Sequence, residues 1–276
     1  MKTRHVASVV RGRPAIDGAG VHLTRVLGLP NVQDFDPFLM LDSFDATDPK
    51  LYLAGFPMHP HRGIETITYL IHGELAHEDS LGNKGLITDG ASQWMTAGSG
   101  ILHQEMPNAT ERLLGFQLWL NLPQVEKMTE PKYFDILPED VKVVEEPGKV
   151  IRVVAGRYGE TEGVKPHHLQ ASIFDGSLEP GAEIDLPVKE DETAFVFLIL
   201  GDAVIDGETY TEKSALLMKD GDTVKVQAPE DQALRFALIA GPPLHESVAW
   251  GGPIVMNTRE ELEHAFWELR NGRFIK

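Results

Sequence analysis

The chain has 276 residues, enough for one large domain or two ordinary ones. Its formal charge of −17, from 25 basic against 42 acidic residues, opposes direct contact with a phosphate backbone or an anionic membrane, and no apolar stretch reaches the ~18 residues of a membrane span. Cysteine is absent, which excludes disulfides and thiolate metal sites and leaves His, Asp, Glu or backbone oxygen to hold any metal.

Residues 1–5 (MKTRH) carry charge but no apolar core follows them, so no signal peptide is read and a cytoplasmic location is expected. Residues 55–63 read GFPMHPHRG. Alternate residues of a strand share a face, so His59 and His61 project together. Pro60 between them favours an extended His59 and fixes its own φ, which makes a stiff two-pronged pair. Pro60 also lacks an N–H, so this stretch must be an edge, a bulge or a strand start. The run 64–71 after it has strand length and composition.

Residues 95–107 read MTAGSGILHQEMP, and here His103 and Glu105 share a face. Two such pairs on neighbouring strands can converge on one point. They would supply three imidazoles and one carboxylate, with space left for water or substrate at an octahedral ion. That set suits one divalent transition metal, Fe(II) first, with Mn, Ni, Cu or Zn as alternatives. With 11 His in the chain, chance alone gives roughly 0.4 His-x-His pairs. One pair therefore weighs little against a surface turn; the flanking glycines and the second pair in a similar strand context carry the metal reading.

Other residues compete less well. Glu65, four residues beyond His61, has a carboxylate within reach of a metal, but a partner at the barrel rim is the commoner role. His77, in the sequence AHEDS, either lines a pocket or belongs to a hydrogen-bonded loop. His167 and His168 follow Pro166 and read as structural or exposed, and His72 and His245 have no nameable partner. Arg62 is expected to hold a carboxylate. Phe56, Met58, Trp94, Phe116 and Trp119 offer cavity walls or, more commonly, ordinary core.

Further along, residues 115–120, 151–155, 194–200 and 233–239 are short apolar runs, with turn signals at Asp206-Gly207 and Asp220-Gly221. The Pro- and acid-rich stretch 130–148 reads as a connection. The pattern argues for an all-β barrel or sandwich. Residues 64–73 with 93–98, and 194–201 with 216–221, look like two copies of one strand–Gly–strand–Gly unit, which suggests a duplicated barrel whose second copy lacks His-x-His. Residues 258–269 (TREELEHAFWEL) begin with a Thr cap and acidic first turn and place Leu262, Ala265, Phe266 and Leu269 at helical spacing, predicting a terminal helix packed on a barrel.

At these blocks the chain resembles the pirin family of bicupins. The resemblance covers nearly all of it: DFDPFLMLD at 34–42, GFPMHPHRGIET at 55–66, HEDSLG at 77–82, the 95–107 block, GFQLWLNLP at 115–123 and GGPIVMNT at 251–258. It implies an all-β fold of the cupin superfamily with two barrels, expected over residues 1–130 and 131–276, the latter carrying the short terminal helix. It also implies metal only in the first barrel, on His59, His61, His103 and Glu105, with Glu65 outside the coordination set.

Three functions follow as expectations. The resemblance extends to quercetinases, implying a dioxygenase that cleaves a flavonol with O2, Glu105 serving as ligand and as general base. The alternative that the pirin likeness also implies is a redox- or metal-sensitive regulatory protein that contacts a transcription factor or metabolic enzyme, and the lack of a basic patch favours protein contact over nucleic acid. A structural zinc site is the third, less typical with three His and one Glu and no Cys. A monomer is expected.

Overall fold

Short runs of β-branched and aromatic residues, broken repeatedly by Gly, Pro, Asp or Asn, favour strands joined by tight turns. Residues 2–276 are described in a computed structural model of the chain, and among them the one α-helix is Arg259–Arg270. The chain forms two compact units. One comprises residues 14–32, 38–138 and 244–276; the other comprises the N-terminal stretch through Arg13, residues 33–37 and residues 139–243.

Both units have a seven-stranded and a four-stranded sheet. In the first unit the larger sheet runs Lys132–Ile136, Ser92–Thr96, Ile64–His72, Leu113–Asn121, Phe38–Ala46, Val21–Leu27, Arg13–Asp17. Its smaller sheet runs Phe56–His61, Ile101–Pro107, Leu75–Asp79, Lys84–Ile87. In the second unit the larger sheet runs His5–Arg11, Ser214–Lys219, Thr193–Leu200, Leu234–Gly241, Ser172–Leu178, Lys149–Ala155, Lys142–Glu146. Its smaller sheet runs Glu183–Pro187, Thr223–Gln227, Ala203–Ile205, Glu208–Tyr210. The strand order is the same in both, as the internal likeness predicts.

The units are cut differently from the boundary expected at residue 130. The second unit's outer strand, beside Ser214–Lys219, is His5–Arg11 from the start of the chain; the equivalent strand of the first unit is Lys132–Ile136. The terminal helix packs through Leu262, Ala265, Phe266 and Leu269 onto Ile254, Met256 and Phe274, within the first unit rather than the second. Thr258 caps it, accepting from the Glu261 N–H, as the sequence predicts. The stretch 130–148 is also more than a connection: Lys132–Ile136 and Lys142–Glu146 are outermost strands. An outer strand faces water on one side, so the acid and Pro that make this stretch look like a linker are tolerated there.

Candidate metal centre

The inward face of the first unit's larger sheet alternates apolar and polar layers. Strand Phe38–Ala46 turns Met40, Asp42 and Phe44 to one side; Leu113–Asn121 turns Leu113, Gln117 and Trp119; Ile64–His72 turns Ile64, Thr68 and Leu70. The apolar members fall into two separate clusters. The strand register places Arg25 opposite Asp42, Asp42 opposite Gln117, and Gln117 opposite Thr68, a polar row across the sheet.

The smaller sheet supplies the histidines. Phe56–His61 is its edge strand, where Pro60 leaves no ladder partner wanting, as predicted. His103 on the adjacent strand lies opposite His59. The ligand atoms of His59, His61 and His103 lie within 4.8 Å of one another. His59 Nδ1 is 3.0 Å from the Pro57 carbonyl and His61 Nδ1 is 3.1 Å from the Pro253 carbonyl. A carbonyl can only accept, so each Nδ1 carries the hydrogen and each Nε2 presents a lone pair. Those two Nε2 atoms face each other at 3.1 Å. His103 Nε2 is fully buried and has no hydrogen-bond partner among the described residues. Facing lone pairs and a buried orphan nitrogen fit a cation held among the three rings.

Burial pushes His61 down to about 3, with the neighbouring His59 adding to the effect, and burial likewise lowers His103 well below the usual imidazole value. Both rings are thereby neutral near pH 7, the form that binds metal.

Glu105 follows His103 on the same inward face and lines a cavity together with His59 and His61. Its carboxylate accepts from Gln117 Nε2 at 2.8 and 2.9 Å and from Thr68 Oγ1 at 3.0 Å. The structure thus joins the three histidines directly and holds Glu105 beside them through the polar row. Glu65 faces the other side of its strand, buried, and accepts from Thr96 Oγ1 at 2.7 Å. His77 is on strand Leu75–Asp79 and not in a loop; it stacks on Tyr133 at 4.6 Å, and its Nδ1 lies 3.5 Å from His103 Nδ1. His167 and His245 are exposed, and His72 pairs with Asp89 at the surface.

The cavity has a volume of about 590 Å³ and is walled by Met40, Phe56, Trp119 and Trp250 with Arg25, Asp42 and Gln117. Phe56 and Trp119 therefore wall it, while Trp94 and Phe116 are core and Met58 points to solvent. The His61 ring meets Trp119 edge to face at 4.8 Å. Arg25 makes a two-pronged pair with Asp42 at 2.9 and 2.7 Å and reaches Asp17 at 2.6 Å. Those hydrogen bonds, chiefly the ones Arg25 donates to Asp42, hold the guanidinium above its ordinary value. Gln117, Thr68, Arg25, Asp42 and Pro253 were not singled out from sequence. The available signal was the shared strand parity of Gln117 and Trp119; the pairing of Pro253 with His61, 192 residues away, has no local signal.

Two family models match the chain: Pirin over residues 20–120 and the Pirin C-terminal cupin domain over residues 173–275. The chain belongs to the pirin family. A pirin-like protein of Caulobacter vibrioides is 43% identical over 99% of this chain and 100% of its own length. Human pirin is 38% identical over 98% of this chain and 94% of its own. A solved structure of quercetin 2,3-dioxygenase from Acinetobacter baumannii superposes with a TM-score of 0.91 at 31% identity, covering 99% of both chains. This pirin-family chain accordingly has the two-domain cupin fold that its sequence predicts, with a short terminal helix. No helix among the described residues is long and apolar enough to cross a membrane.

Proposed function

We propose that the chain is a metal-dependent dioxygenase of the quercetin 2,3-dioxygenase type, cleaving a flavonol ring with O2. The observation that carries this reading is the convergence of three imidazoles, two of which, His59 and His61, line a cavity walled by two tryptophans. The likeness to the Acinetobacter quercetin 2,3-dioxygenase supports it. His59, His61 and His103 would hold the ion, with Glu105 as fourth ligand; Fe(II) is the first choice, and Mn, Ni, Cu and Zn suit the same donors. When bound, such an ion supplies Lewis acidity toward adjacent substrate oxygens and a redox partner for O2.

The protein's own residues would do the rest. Met40, Phe56, Trp119 and Trp250 stack on flat rings and exclude water. The Asp42–Arg25–Asp17 network lining the same cavity reads ring hydroxyls through carboxylate acceptors. Glu105 takes the proton from the flavonol hydroxyl onto a carboxylate oxygen. Gln117 and Thr68 then hold the protonated or free carboxyl in place. Aerobic quercetin turnover by protein loaded with each metal in turn tests this. Full metal occupancy with no turnover for any of them would overturn the enzyme and favour a regulatory binding protein.

A further inference from the structure

We propose that the C-terminal segment, residues 253–276, is a working part of the metal centre: it orients His61 and clamps the turn behind it, so that docking of the terminal helix sets metal affinity. The proposal rests on the metal reading above.

Three consecutive residues, 61 to 63, each grip this segment by a different contact. His61 Nδ1 donates to the Pro253 carbonyl at 3.1 Å. Removing that acceptor frees both the tautomer and the orientation of the ring, and partners of this kind tune metal affinity. Arg62 is 1% exposed and takes no part in the cavity wall. Its Nη1 donates to Glu268 at 2.6 Å, its Nη2 donates to the Phe274 carbonyl at 2.9 Å, and its guanidinium lies 4.2 Å from the centre of the Phe274 ring. Its backbone carbonyl accepts from the Val255 N–H at 3.1 Å. Gly63 has φ +78°, and a Cβ there would strike the Val255 carbonyl oxygen. Lys127 Nζ closes the arrangement, donating to the Gly63 carbonyl at 2.8 Å and the Val255 carbonyl at 3.0 Å.

A buried guanidinium without its carboxylate is strongly unfavourable. Undocking the helix would strand Arg62 inside the turn that carries His61, so the tail and the ligand turn move as one unit. Linkage then requires reciprocity: if the docked tail strengthens metal binding, bound metal must hold the tail down by the same factor.

The test uses the full-length chain and Co(II), whose visible absorption reports its ligand geometry. Wild-type protein should bind Co(II) and His61→Ala should not. Glu268→Gln should bind about tenfold more weakly with an altered spectrum. Glu263→Gln, on the exposed helix face and paired with Arg259, should match wild type. Saturating Co(II) should also slow amide hydrogen exchange across Arg259–Arg270 in the unsubstituted chain, a readout that does not depend on any variant folding. A folded Glu268→Gln protein with wild-type affinity and spectrum, or helix exchange indifferent to Co(II), overturns the proposal while leaving the metal site standing. Failure of wild type to bind Co(II) overturns the metal reading itself, and this proposal with it.

Discussion

The two units share one strand order and differ in what fills the middle of it. Across four adjacent strands of the first unit the central row reads Arg25, Asp42, Gln117, Thr68. Across the same four strand positions of the second it reads Ile151, Gly176, Phe236, Leu198. There the Phe236 ring lies on Gly176 so closely that no Cβ would fit, and one continuous apolar cluster occupies the interior. In the first unit the apolar interior is split in two and the polar row lies between the parts. Buried polar groups are costly unless each is paired. Here they pair in a chain: Arg25 with Asp42, Gln117 with Glu105, Thr68 with Glu105, and Trp119 Nε1 with Gln117 Oε1 at 3.2 Å. The fold accepts either filling, so the chemistry resides in side chains that an apolar row would replace without changing the topology.

That contrast can be broken from either side. The largest effect is expected from His103→Ala, which should abolish stoichiometric metal binding, read by elemental analysis, while leaving both barrels folded by circular dichroism. Phe236→Ala in the second unit should do the reverse. It should cost about 3–5 kcal/mol of stability, read by denaturant unfolding, and leave metal content unchanged; metal loss in that variant would mean that the filled barrel also serves the site. Gln117→Leu makes the first unit's row resemble the second's and deprives Glu105 of its amide donor. Metal affinity or turnover should fall about tenfold, and an unchanged affinity and turnover would show that Glu105 acts without this support.

The smallest effect concerns acid. Burial raises Glu268, but the hydrogen bonds from Lys276 and Arg62 outweigh it and hold the carboxyl at about 2, below its ordinary 4.5; His264 faces it at 3.5 Å. A carboxyl lowered by folding contributes stability that is complete above about pH 4.5 and is lost as the pH falls toward 2. The melting-temperature difference between wild type and Glu268→Gln should therefore be greatest above pH 4.5 and shrink steadily below it. A difference that stays constant with pH would show that this carboxylate does not anchor the tail through its charge.

Much of this was legible in the sequence because it depends on short-range periodicity. The period of two put His59 with His61 and His103 with Glu105, Pro60 marked an edge strand, and the Thr258 cap with its acidic first turn marked the helix. The same local logic misled where a strand lies at a sheet edge. Residues 132–136 and 142–146 carry the composition of a linker, yet they pair, because an edge strand needs a partner on one side only.

Residue type and spacing along one or two strands were enough to read the fold class, the shared face of His59 with His61 and of His103 with Glu105, and the lack of a His-x-His pair in the second half. It took the folded chain to show which of its ends complete which unit, that His5–Arg11 borders the second barrel while the terminal helix packs in the first unit, and that Pro253, Arg62 and Glu268 meet at the ligand turn. Those contacts join residues about two hundred positions apart, and register between such distant segments is set by packing, which no local pattern encodes.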